Sequence, residues 1–118
     1  MDVILLYSTA PDAETAERLG AALVDEGLAA CINVIPDMRS VYRWQGAVER
    51  SAEAVLIVKT TRAAAAAASA RLRALHPYEV PCILELPIAG GDAAYLAWLA
   101  AAVRPAPPIP PAPPGSRA

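Results

Sequence analysis

Two long strand-like stretches, separated only by Gln45-Gly46, dominate what this chain can become. The first runs from Leu28 to Ile35 and resumes through Val41, Tyr42 and Trp44. The second runs from Val48 to Thr61, with Val55, Ile57 and Val58 at its centre. A glycine-bearing turn between two such runs reads as a β-hairpin. In a chain of 118 residues this hairpin is long, so its tip is expected to project beyond the sheet. Pro36-Asp37 breaks the first arm. Proline cannot donate to a ladder, so a kink or bulge is predicted there.

The flanking segments fix the rest of the order. Val3 to Tyr7 is a continuous apolar run, read as a strand buried on both faces. Pro11, Asp12 and Glu14 suit a helix start, where the dipole favours negative charge. Ala16, Leu19, Leu23 and Val24 lie on one helical face, and Gly27 supplies the stop, so a helix is predicted from Asp12 to Glu26. Arg62 to Leu75 is helical by propensity, although the six alanines Ala63 to Ala68 hide its periodicity. His76-Pro77-Tyr78-Glu79-Val80-Pro81 cannot continue that helix, because both prolines fix φ and remove a donor. It reads as a stiff connector to a last strand, Val80 to Leu86, ended by Pro87. After Gly90-Gly91, Asp92 or a neighbour caps a short helix holding Tyr95, Leu96, Trp98 and Leu99.

The order β-α-β-β-α-β with a short terminal helix is the split-βαβ pattern of an α+β, ferredoxin-like fold. It predicts an antiparallel four-stranded sheet with two helices on one face. The other face then needs a cover, and an apolar face there points to self-association. One domain is expected over residues 1–104. Residues 105–118 hold seven of the 12 prolines and cannot form helix or sheet. They read as a disordered or polyproline-II-like tail, either solvated or bound to an SH3-like partner protein.

Composition narrows the function classes. A formal net charge of −2 gives no electrostatic footprint for nucleic acid or an anionic membrane. The hydrophobic fraction of 56% includes 28 alanines, so larger apolar side chains make up about a third of the chain, enough for a compact core. No apolar run of about 20 residues and no signal segment is present, and a cytoplasmic protein is expected. Cys31 and Cys82 lie far apart, without metal-ligand spacing. They read as buried free thiols, with a single disulfide as the alternative. The sequence holds no GxGxxG, P-loop, HExxH or nucleophile elbow, so neither an enzyme nor an organic cofactor is expected.

With these segments in order, the sequence resembles the CutA family of divalent-cation tolerance proteins. The resemblance rests on Ser8-Thr9-Ala10-Pro11-Asp12, Leu28-Ala29-Ala30-Cys31-Ile32-Asn33-Val34-Ile35-Pro36 and Ser40-Val41-Tyr42-Arg43-Trp44-Gln45-Gly46. It continues through Lys59-Thr60-Thr61, His76-Pro77-Tyr78-Glu79-Val80-Pro81 and Tyr95-Leu96-Ala97-Trp98, and covers about Val3 to Val103. It implies a subunit similar to the nitrogen-regulatory PII proteins, a homotrimer paired through strand edges, and a link to copper and other divalent metals. In the family's metal-binding pattern a cysteine precedes Thr-Ala-Pro-Asp and two histidines precede Pro-Tyr. This chain has Ser8 and Leu75 at the first two of those positions and keeps only His76. One imidazole without a thiolate is a poor high-affinity copper site, so weak binding of a divalent cation is expected.

The candidate residues each carry two readings. His76 is either a turn residue bonded to backbone or a metal ligand, with Glu79 as a second, oxygen ligand. Tyr42 and Trp44 share a strand face and either cover an oligomer core or line an intersubunit cleft. Tyr78 is placed in that cleft as well. Lys59 is either a solvated strand end or an anion contact there, and Asn33 needs a hydrogen-bond partner if buried. The function expected first is a trimeric metal-tolerance protein. The alternative is a PII-like sensor of a small anionic ligand, or a scaffold for a partner protein not identified by the sequence.

Overall fold

The computed structural model describes residues 2–104 and contains four strands and three helices. In chain order these are β1 (Val3–Ala10), α1 (Ala13–Asp25), β2 (Cys31–Trp44), β3 (Ala47–Thr61), α2 (Arg62–Leu75), β4 (Ile83–Pro87) and α3 (Ala93–Ala102). The strands form one antiparallel sheet in the order β2-β3-β1-β4, which is the ferredoxin-like arrangement that the element order predicts.

Each helix begins where a side chain captures an unpaired amide. Asp12 accepts from Thr15 N–H at 2.7 Å, Thr61 from Ala64 N–H at 3.2 Å, and Asp92 from Tyr95 N–H at 2.9 Å. At the end of α1, Gly27 takes φ +76, and its carbonyl accepts from Arg104 N–H at 3.0 Å, tying the last described residue to this corner.

Period-two alternation divides the sheet into two unlike faces. Ile4, Leu6 and Ala10 of β1, with Leu56 and Val58 of β3, pack against Leu19 and Leu23 of α1 and Ala68 and Leu72 of α2. Gly20 lets α1 lie close to the sheet, since a Cβ there would meet Ile32 Cγ1 at 2.7 Å. Leu5, Tyr7, Ile35, Ile57, Leu84 and Leu86 point the other way. The expectation that β1 is buried on both faces is therefore corrected. Leu5 and Tyr7 are half-buried, because α1 and α2 cover one face only. The third helix shields one end of the open face, where Leu99 packs with Val3.

The break predicted at Pro36-Asp37 is a bulge. The β2–β3 register shifts between Ile35 and Met38, and Asp37 takes φ +57. Gln45 and Gly46, at φ +49 and +83, close the hairpin with the left-handed backbone that matches strand twist. The last strand begins at Ile83 rather than Val80, since the connector bends through residues 77–80 before pairing starts. It includes Pro87, which was expected to end it. β4 is an edge strand, and there a missing donor is tolerated. Both cysteines are free and half-buried. The proline-rich residues 105–118 lie outside the described residues.

Candidate functional site

The His-Pro-Tyr connector is anchored by its histidine. His76 caps the C-terminus of α2 and is buried, 8% exposed. Its Nδ1 accepts from Tyr78 N–H at 3.1 Å, which requires the proton to sit on Nε2. Nε2–H then donates to the Thr9 carbonyl at 2.8 Å. The imidazole thus staples the connector to β1 with both nitrogens occupied. The backbone-bonded reading of His76 describes this arrangement, in which neither nitrogen presents a free lone pair to a cation.

Tyr78 continues the staple toward the hairpin. Its ring lies 4.8 Å from the imidazole, and its hydroxyl donates to Glu53 Oε2 at 2.8 Å. Burial raises the Tyr78 phenol well above its ordinary value, and the hydrogen bond to the Glu53 carboxylate pushes it further the same way. Glu79, the other predicted metal ligand, is exposed, and its carbonyl accepts from Arg73 Nη2 at 3.5 Å. Among the described residues, no group of three or more His, Cys, Asp or Glu side chains is placed to hold a metal ion.

Between this connector and the hairpin lies a groove of about 810 Å³. Tyr7, Thr9 and Glu53 form its floor. Ser40, Tyr42 and Trp44 form one wall, and Pro77 to Val80 with Cys82 form the other. It exists because β2 and β3 run past the end of β1, leaving the far half of β3 with no strand on its β1 side. Tyr42 and Trp44 share the open face and are 42% and 47% exposed. Cys82 is half-buried, and its thiol is pushed up by burial and by the Glu53 charge.

The five predicted cleft residues therefore separate. Tyr42, Trp44 and Tyr78 line the groove, whereas Asn33 and Lys59 do not. Asn33 is exposed on the open face, on the same rung as Ile57 and Tyr7. Lys59 lies further along, where Nζ donates to Tyr95 Oη at 3.1 Å. That amine is 5.5 Å from the ring centroid, too far along the hydroxyl direction to be a contact with the ring face. Ser8, at the family's cysteine position, is on the opposite face of the sheet from the groove. It is fully buried, and its Oγ has no hydrogen-bond partner.

Sequence reasoning did not select Glu53, Cys82, Tyr7 or Arg39, all of which line the groove. For Glu53 a signal existed: alternation puts Glu49, Ser51 and Glu53 on the same strand face as Val55 and Ile57. For Cys82 and Arg39 no pattern marks them, since their proximity comes from the bend and the bulge.

Comparison with known proteins gives a consistent result. The family model described as CutA1 divalent ion tolerance protein matches residues 4–102. The chain is 49% identical over 98 residues to a divalent-cation tolerance protein CutA of Thermus thermophilus, covering 83% of this chain and 93% of that one. It is 43% identical over 96 residues to Protein CutA 1, chloroplastic, of Oryza sativa subsp. japonica, covering 81% of this chain and spanning 54% of the rice protein. The crystal structure of CutA from Xylella fastidiosa superposes with a TM-score of 0.85 at 40% identity, covering 88% of this chain and all of that one. Among the described residues no helix is long and apolar enough to cross a membrane.

Proposed function

The chain belongs to the CutA1 divalent ion tolerance protein family, and on that premise we propose that it acts in metal tolerance as a homotrimer binding a divalent cation weakly at a cleft between subunits. The observation that carries this reading is the uncovered sheet face. Ile35, Leu84 and Leu86 are 50%, 57% and 43% exposed on it, and the hairpin beyond adds Tyr42 and Trp44. An apolar surface of this extent favours an interface, and neighbouring copies would also pair the free edges of β2 and β4. In such an assembly Asn33 and Lys59 face a neighbouring subunit, while Tyr42, Trp44 and Tyr78 border the cleft.

His76 and Glu79 remain the proposed cation ligands, copper included. Affinity is limited by chemistry already described: a cation taking His76 Nδ1 must displace the Tyr78 N–H, and no thiolate joins the pair. Glu79 is free to supply a carboxylate oxygen. The role is binding rather than turnover, and the proposed compartment is the cytoplasm, which cell fractionation checks.

Two measurements test the proposal. Light scattering at micromolar concentration should give about 37 kDa, three copies of 12.3 kDa. A mass of one protomer would refute the trimer. Calorimetric titration of copper(II) should show weaker binding for Glu79→Gln and for His76→Asn, which removes the imidazole but retains an acceptor for Tyr78 N–H. Unchanged binding in both variants would remove these residues from the metal site.

A further inference from the structure

We propose that Glu49 of each protomer pairs with Lys59 of the next, so that a second copy of this chain completes a contact that one copy leaves open. The inference rests on the trimer proposed above and names the contact that aligns neighbouring copies. Alternation places few charges on the uncovered sheet face. Within the strands they are Lys59, Glu49 and Glu53, and Glu53 already accepts from the Tyr78 hydroxyl at 2.8 Å. Arg39, Arg43, Arg50 and Glu85 lie on the opposite face by register, although Arg39 also borders the groove. Asp37, in the bulge, sits beside Pro11 and Asp12 at the start of α1, and Glu79 is exposed on the connector. Among the described residues neither Lys59 nor Glu49 forms an ion pair.

Both groups need a counter-charge once a neighbour covers that face. An ion buried without a partner is costly, and an opposite charge that also hydrogen-bonds offsets the cost. Lys59 is half-buried, and its Nζ donates one N–H to the neutral Tyr95 hydroxyl at 3.1 Å, which leaves two donors for a carboxylate. Asn33, two residues along β2 from the Cys31–Lys59 rung and on the same face, offers an amide donor beside it. Glu49 is exposed at the hairpin end opposite Tyr42, beyond Ala54, where β1 stops pairing with β3. The two cannot meet within one chain, since ten residues of β3 separate them, about 33 Å at ~3.3 Å each. A closed ring of three uses a heterologous contact, in which one surface of a protomer meets a different surface of the next. The acidic hairpin end of one copy then meets the Lys59 end of its neighbour, and the pair recurs at each seam.

The test is a charge swap in the full chain. Mass is read by light scattering over a dilution series, at a fixed urea concentration that places half-dissociation of the parent in the micromolar range. Glu49→Lys and Lys59→Glu each set like charges against each other at every seam. Each should raise the protomer concentration at half-dissociation by more than about tenfold. The double variant Glu49→Lys with Lys59→Glu restores opposite charges and should return to within about threefold of the parent. Glu49→Gln, on an exposed side chain that the fold of one protomer does not use, should weaken assembly in the same direction as Glu49→Lys but less. Single reversals that leave the midpoint unchanged overturn the pair, as does a double variant no better than the worse single one, and both results leave the trimer standing. A parent that is monomeric without urea overturns the trimer itself, and the pair with it.

Discussion

The imidazole of His76 can be tested as a structural staple by removing its two bonds separately. His76→Ala deletes the donor to the Thr9 carbonyl and the acceptor for Tyr78 N–H, at 2.8 and 3.1 Å. The site is 8% exposed, so water does not readily replace either partner. A buried polar group left without a partner costs about 1–3 kcal/mol. Tyr78 is half-buried, which places its amide at the low end, and the expected total loss is about 3 kcal/mol. His76→Gln carries a donor near the Nε2 position and His76→Asn an acceptor near the Nδ1 position. Each should therefore lose about half as much as the alanine variant. Urea unfolding at one fixed protomer concentration reads these differences, because assembly makes the midpoint concentration-dependent. A loss below about 1 kcal/mol for His76→Ala, or no recovery in either amide variant, would refute the stapling argument.

Other consequences follow from single contacts. Tyr78 is held protonated by burial and by its bond to Glu53, so its folded value lies above the ordinary 10.0. That contribution is whole below pH 10 and falls as the pH rises toward the folded value, so alkaline unfolding above pH 10 should be less steep in Tyr78→Phe. Thr60 Oγ1 donates to the Leu28 carbonyl at 2.6 Å in a fully buried position. Thr60→Val should lower stability by about 1–2 kcal/mol in urea melts. Gly20→Ala sets the better helix propensity of alanine, about 1 kcal/mol, against a Cβ that would sit 2.7 Å from Ile32 Cγ1. Overpacking of this kind costs about 1–3 kcal/mol, so the variant should melt lower than the parent.

The order of elements was legible because each boundary has a local chemical cause. Asp12, Thr61 and Asp92 cap helices by their own side chains, and Gly27 and Gly46 adopt backbones that suit glycine. Pro36 announced the bulge in the same way. Alternation also told that Tyr42 and Trp44 share a face, as the strand register confirms. These are short-range constraints, and neighbouring residues suffice to express them.

The grouping of the candidate site was decided elsewhere. Whether His76 bonds a cation or backbone depends on Thr9, 67 positions away, and the partner of Tyr78 is Glu53 on another strand. Lys59 turns to Tyr95 because α3 folds over that end of the open face. Ser8 faces the helices rather than the groove because β1 alternates from Ile4 onward. Local sequence determined where the chain turns, stiffens and extends, since caps and turns draw on residues a few places apart. Only the tertiary structure decided which side chains meet, because strand register and a one-sided helix layer bring together residues that no local spacing relates.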